Sequence, residues 1–481
     1  MRPTIENRER PAAPADALRE LFADFYGRLI LPGDAEYDQA RRVWNGMIDR
    51  YPAVIAQCAD RYDVRTAIKF AAKHRLPVAV RGGGHNVAGY GTCDDGIVID
   101  LALMNSVNVD REARSVRAGG GARWGDVDAA TQRYGLVTPG GVVSDTGIAG
   151  LTLGGGFGYL ASRYGLACDN LLSAELVMAD GRFLTASASE NPDLFWALRG
   201  GGGNFGVVTS FTYRLHEFGP EVYMMMVLHD GSGDAMKQAL KSYRAFVESA
   251  PDEAAPLAAT GIVPPGMEHF PAEIHGKPFV MMLGMYVGDP AEGERVYEPL
   301  RTFARPMMDM SGRMPYVKAQ QLLDEDYPAY KMRYYWKSAY LPDLTDGSID
   351  LIVEHARQQP SPYSTIDLWH LAGAVKEIGE DETAFSGRRT SYMLNPEANW
   401  LDPSDDQANV QWVRRTLEAM RPYSSGGRYL NFAGFYEEGE QAMRDTFGEK
   451  YARLAAIKRK YDPDNLFHLN QNVLPNTNGH E

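Results

Sequence analysis

The sequence predicts an α+β protein of two or three domains, and three observations carry that prediction. Its 481 residues are 44% hydrophobic and 23% charged, an ordinary balance for a chain with a large core. As far as Leu215, short strands and helices alternate around clusters of glycine. Beyond Phe218 the glycine clusters stop and long alternating apolar segments appear between helices, the pattern of an antiparallel sheet covered by helices. The expected divisions are a lead-in over 1–33 with a helix at Ala17–Tyr26, a first domain over 34–216, a second over 217–427, a segment over 428–475 that folds back on the first, and a tail over 476–481.

In order along the chain, a strand around Ala53–Cys58 leads to a helix over Val64–His74 with Asp63 as its cap. The strand Leu76–Val80 then runs into Arg81-Gly82-Gly83-Gly84-His85-Asn86, and another strand, Gly96–Leu101, follows. Glycines let the backbone bend sharply and approach a phosphate, and His85 adds a nucleophilic imidazole to the same loop. Next come a helix over Trp124–Tyr134, the run Gly154–Gly158 before a short helix at Leu160–Tyr164, and a strand-turn-strand at Glu175–Thr185. Gly201-Gly202-Gly203-Asn204-Phe205-Gly206 formally matches a nicotinamide-dinucleotide fingerprint, which works only between a strand and a following helix. Here the helix Asp193–Arg199 comes first and the strand Val207–Tyr213 second, so a Rossmann fold is rejected. The second domain shows strands at Val222–Val227 and Pro278–Leu283 and helices at Asp234–Ser249 and Pro290–Phe303. The last segment reads as a strand, Arg428–Phe432, a helix, Glu449–Tyr461, and an ordered loop to Asn472.

A net charge of -14 argues against nucleic acid and anionic membrane partners and favours small-molecule chemistry. Cys58, Cys93 and Cys168 fit neither a disulfide framework nor a metal cluster, so they read as reduced core thiols, with no metal expected. With no signal-like apolar core or membrane-length run, the expected location is cytoplasmic; oligomeric state is left open.

Four motifs in order, Arg81–Asn86, Gly147–Gly158, Gly200–Val208 and Tyr461–Asn472, resemble the flavin-linked oxidases of the vanillyl-alcohol oxidase and cresol-methylhydroxylase superfamily. Within it, the chain is most similar to the berberine-bridge-enzyme-like branch, from about Tyr37 to Val473. The resemblance implies that 34–216 holds FAD in two α+β subdomains and that 217–427 is a substrate domain. It implies a covalent bond from His85 to the flavin 8α carbon. Arg81, Gly82, Gly83, Gly84, Asn86, Ser144, Asp145, Thr146, Gly147 and Gly150 become cofactor contacts. Gly154, Gly155, Gly156 and Gly158 would face the pyrophosphate with the helix after them, Gly206, Val207 and Val208 the adenine, and Asn470 and Asn472 the ring. Many branch members carry a second tether, a cysteine, at the place of Val143; valine forms no thioether, so a single bond is expected.

Flavin oxidation of an alcohol or amine needs a base for the O–H or N–H proton. Several plant relatives use a tyrosine where this chain has Phe157. Some bacterial sugar and polyketide oxidases use the tyrosine of a Tyr-x-Asn strand, matched here by Tyr429-Leu430-Asn431, so Tyr429 is the expected base with Asn431 beside it. Lys337, Asp367, Trp369, Asn395 and Asn431 are candidate substrate contacts; 367 and 369 share one face of a strand and His370 the other. Asn395 stands where plant relatives place a glutamine or glutamate base, and as an amide it would position substrate. Thr146 falls at the family's oxygen gatekeeper and is close to valine in size, which favours an oxidase that makes hydrogen peroxide. The expected activity is oxidation of a C–OH or C–N bond in a sugar, alcohol or secondary metabolite. An oxygen-shy dehydrogenase or oxidative cyclase is the alternative, and a non-catalytic binder a further one.

Overall fold

The structure is a computed structural model that describes residues 21, 24–267, 270–435 and 439–475; the helix expected at Ala17–Tyr26 lies largely outside them. The first sheet has four strands in the order Arg28–Ile30, Val54–Gln57, Ile97–Asp100, Val78–Arg81, the last three mutually parallel. Runs such as Ile97-Val98-Ile99 are buried on both faces, as parallel strands require. The helix Arg61–His74 joins two of them. Its cap is Asp60, which accepts from the N–H groups of Tyr62 and Asp63, and not Asp63. The Asp63 carboxylate instead turns back to the backbone N–H groups of Tyr26, Gly27 and Ala59, tying down the chain that enters the domain. At the carboxyl ends of the parallel strands, where α/β sheets place ligands, Arg81 donates to buried Asp100 at 2.9 Å. The glycine turn starts from that pinned end.

The second sheet is antiparallel, in the order Val107–Asp110, Ser115–Gly119, Val207–Arg214, Leu171–Val177, Phe183–Ser187. The helix Pro192–Leu198 precedes the glycines at 200–206 and the strand Val207–Arg214 follows them, the reverse of a Rossmann unit.

The third sheet has nine strands and is antiparallel. Its central run is Glu221–Asp230, Pro278–Tyr286, Leu257–Ile262, Thr365–His370, Tyr392–Trp400, Arg333–Trp336. Alternation divides its side chains. Met225, Val227 and Leu368 pack under the helices Ala235–Val247, Asp346–Ala356 and Asp406–Met420, while Met224, Met226 and Trp369 face Tyr159, Leu160 and Phe385 on the other side. No helix among the described residues is long and apolar enough to cross a membrane.

Two buried ion pairs hold the parts together. Arg388 grips Asp169 with both terminal nitrogens, at 2.5 and 3.0 Å, and donates to Thr383 as well. Asp169→Ala would leave that guanidinium buried and unpaired, so we expect it to lose about 3–5 kcal/mol of unfolding free energy, measured by denaturant titration. Lys458 spends its three donors on Asn204 O, Asp462 Oδ2 and Phe467 O at 2.7, 2.7 and 2.9 Å. With Val473 N–H on Asn204 Oδ1, this binds the segment after the helix Lys450–Tyr461 to the glycine turn around Asn204.

The expected strand Arg428–Phe432 does not form. Gly426 and Gly427 take φ of 82° and 71°, Tyr429 N–H goes to Ser338 Oγ, and Leu430–Phe432 closes as a single 3-10 turn.

Candidate active site

A cavity of about 360 Å³ lies where the three larger sheets and the C-terminal segment meet. One wall is the turn Arg81–Asn86, crossed by the backbone at Thr146-Gly147. Gly83 and Gly147 touch there, and a Cβ on either would collide with the other's backbone, so both positions need glycine. Among the described residues, the backbone N–H groups of Gly83, Gly84 and His85 find no acceptor. They are free to meet the oxygens of a ligand.

His85 stacks on Trp44, ring centroids 5.0 Å apart, and Trp44 stacks in turn on buried Tyr334. Asp145 Oδ2 stands 3.3 Å from His85 Nε2, a charge contact poorly aligned as a hydrogen bond, and also pairs with Arg123. Burial pushes the Asp145 carboxyl up, but His85 and Arg123 outweigh it and hold it below the usual range. The carboxylate sits on the Nε2 side of the ring.

Across the cavity, Asn470 donates to Gly203 O and Phe467 O at 3.1 and 2.9 Å, which fixes its amide and leaves a buried Oδ1 without a partner. Unbound amides at one end, an orphaned acceptor at another and an apolar slot at Val78, Val80, Leu101 and Val208 suit FAD. The amides fit its phosphates and Asn470 Oδ1 a ring N–H.

Tyr429 is buried, and its hydroxyl oxygen accepts three N–H groups: Gly156 and Phe157 at 3.1 Å and Asn431 Nδ2 at 2.9 Å. Asn431 also donates to Leu151 O, which orients its amide. Gly155 and Gly156, at φ of 121° and 89°, turn the chain that aims the two backbone donors. Burial raises the phenol to about 12, against the pull of those donors toward ionisation.

On another part of the same cavity wall, Asp367 and Glu397 project from adjacent antiparallel strands, Asp367 opposite Asn395 and therefore diagonal to Glu397. Glu397 accepts from Tyr327 OH at 2.9 Å and from Asn395 Nδ2, while Asp367 Oδ1 has no partner. Burial raises both carboxyls, Asp367 to about 7. Glu397 is missed by the motif reading. Its signal lies in the strand itself, where Asn395, Glu397 and Asn399 alternate through an otherwise apolar, wholly buried run.

Of the expected residues, Arg81, Gly82, Gly83, Gly84, His85, Asn86, Thr146, Gly147, Gly150, Gly154, Gly206, Val208, Asn470, Asp367, Trp369, Tyr429 and Asn431 line the cavity. The others lie outside its lining. Ser144 is taken up by Asp324, which accepts from its N–H and hydroxyl at 2.8 and 2.6 Å, and Asp145 stands behind His85. Gly155, Gly156 and Gly158 pack against Phe385, Ala167 and Gly140, so the helix that meets the cavity is Ile148–Leu153, starting at Gly147, and not the single turn Ala161–Tyr164. Val207 points to the opposite side of its strand from Val208, into the core with Val177. Asn472 is displaced because its neighbours Gln471 and Val473 are both bonded to Asn204. Lys337 follows Trp336, which takes the cavity side, and Asn395 directs its amide to Glu397, so it positions that carboxyl and not the substrate. Tyr327 and Tyr363 also reach the cavity, while Tyr334 and Tyr335 are core.

The fold and this cavity define a flavoprotein of the type with a two-part FAD-binding domain and a separate substrate sheet. Residues 52–187 match the family model for an FAD binding domain, and residues 428–474 the model described as berberine and berberine like. An FAD-linked oxidoreductase of Bacillus subtilis is 31% identical over 458 residues, 93% of this chain and 98% of the relative. The (R)-6-hydroxynicotine oxidase of Paenarthrobacter nicotinovorans is 29% identical over 463 residues, 93% of this chain and 97% of that one. The solved structure of 6-hydroxy-D-nicotine oxidase from Arthrobacter nicotinovorans superposes with a TM-score of 0.84 at 28% identity, covering 94% and 98% of the two chains. The chain belongs to the berberine-bridge-enzyme-like family of FAD-linked oxidoreductases, and it is an enzyme.

Proposed function

We propose that the enzyme holds FAD by one covalent bond at His85 and oxidises a C–OH or C–N bond of a small or medium-sized substrate, with oxygen as electron acceptor and hydrogen peroxide as product. The observation that carries this reading is the convergence of His85, Tyr429 and the Asp367–Glu397 pair on one cavity. When bound, FAD supplies a two-electron acceptor. The protein's part is to seat the phosphates on the glycine-turn amides, exclude water with the third sheet, and take the substrate O–H or N–H proton on Tyr429 Oη. The three N–H groups on that oxygen suit a phenol that passes through an anionic form. Valine at 143 supports a single attachment, and threonine at 146 in the cavity wall supports access for oxygen. The oxidase named among the relatives points the same way. A cytoplasmic location belongs to the same proposal, in keeping with three buried, unbridged cysteines.

Anaerobic mixing with alcohols, sugars and amines should bleach the flavin with at least one class, and oxygen should then restore the colour rapidly in a stopped-flow trace. Slow reoxidation would replace the oxidase by a dehydrogenase. The pH profile identifies the base. A base works deprotonated, so its rate climbs with pH up to its own pKa. With Tyr429 held up at about 12, flavin reduction should keep rising from pH 7 to pH 10, whereas a plateau beginning near 7 would move the role to Asp367.

A further inference from the structure

We propose that the substrate enters this cavity as a protonated amine on an apolar, ring-bearing body, and that Asp367 and Glu397 are the residues that select it; the inference rests on reading the cavity as the catalytic one. The two carboxyl groups are 5% and 3% exposed and sit diagonally on neighbouring strands. The diagonal puts both carboxyls on one face of the sheet, where burial pushes each toward its protonated form and Asp367 raises Glu397 further. Glu397 has two donors of its own, Tyr327 OH and Asn395 Nδ2, whereas Asp367 has only the Thr365 hydroxyl close by and its Oδ1 makes no well-formed bond. An isolated buried charge is costly. Without a countercharge the pair meets that cost by staying protonated, and a cation lodged beside it would let a carboxylate form. Among the described lining residues the cationic candidates are Arg81 and His85; both stand at the glycine turn, and both already face carboxylates, Asp100 and Asp145. The countercharge is left for the ligand.

The rest of the wall agrees. Trp369 packs edge-on against Phe157 at 5.4 Å, and its buried Nε1 has no partner, a second polar group waiting on this wall for a ligand. Aromatic faces stabilise an ammonium group and stack on a ring. Met226, Leu257, Met281 and Leu283 also line the cavity and give the body of such a ligand an apolar surface. An ammonium group lodged at Asp367, with an apolar body against these side chains, satisfies both halves of the pocket.

The test uses holoenzyme without oxygen and two probes of nearly equal shape, N-methylbenzylamine and benzyl methyl ether, each titrated calorimetrically. The amine is expected to bind about tenfold more tightly or better, and Asp367→Asn to cut that preference below about threefold while flavin content and ether affinity stay as they were. Glu397→Gln serves as the second variant should Asp367→Asn not fold. Equal affinity for the two probes, binding of neither, or a preference that survives in both variants overturns the proposal. If the preference holds and no donor bleaches the flavin, the oxidase reading fails and the amine site stands. If alcohols bleach the flavin and the preference is missing, the amine assignment alone is lost.

Discussion

His85→Ala is expected to release all of its flavin into the supernatant on acid precipitation, where the parent protein keeps a yellow pellet. Trp44 on its face and Asp145 on its Nε2 edge hold the imidazole in place, as the proposed attachment would need, and alanine supplies no nucleophile. The amides of Gly83 and Gly84 and the acceptor of Asn470 remain, so the variant should still take up FAD, now reversibly and removable by dialysis. On the proposed attachment, the bond from His85 to the flavin 8α carbon would withdraw electron density, so the reversible flavin should also be the weaker oxidant. Because Val143 cannot form a thioether, no second linkage rescues the variant. Flavin surviving in the acid pellet, or a flavopeptide containing another residue, would disprove the single attachment.

Tyr429→Phe should slow anaerobic flavin reduction by about 10²-fold or more, with FAD still attached. The ring and its packing against Phe385 and Phe432 are kept, and only the oxygen that would receive the proton is lost. The change also strips an acceptor from the N–H groups of Gly156 and Phe157, which costs about 1–3 kcal/mol of stability. Thermal unfolding therefore belongs beside the kinetics. A modest loss of stability with an unchanged reduction rate would make Tyr429 a structural clamp on the glycine run. A large loss of rate in a flavin-loaded, folded variant is what proton transfer predicts.

Much of this site was legible because its signals are local. A strand, a glycine turn and a histidine within ten residues need no knowledge of the rest of the chain, and the helix-before-strand order at 193–213 was enough to reject a Rossmann unit. Gly83 and Gly147 are both glycine because their backbones cross in contact; the motifs showed the requirement, and the packing shows its cause. The errors arise where a residue's neighbours are distant in sequence. Asp63 has every mark of a helix cap, yet the chain at 26–27 draws it away and Asp60 takes its place. Tyr-x-Asn suggests a strand, but two glycines at positive φ and a bond to Ser338 turn it into a 3-10 corner. Even so, Asn431 still reaches the Tyr429 hydroxyl.

By itself, the sequence determined the α+β class, the family and the loop that would receive the flavin, because turn chemistry and strand order are written in consecutive residues. Only the tertiary structure decided which of the flagged residues share a cavity. Gly155 and Gly156 stand behind Tyr429, Asn395 serves Glu397, and Asp367 finds its partner thirty residues on through the register of two antiparallel strands. A side chain's charge is known from its name, but its price in an apolar wall depends on what other elements bring within a few ångströms of it.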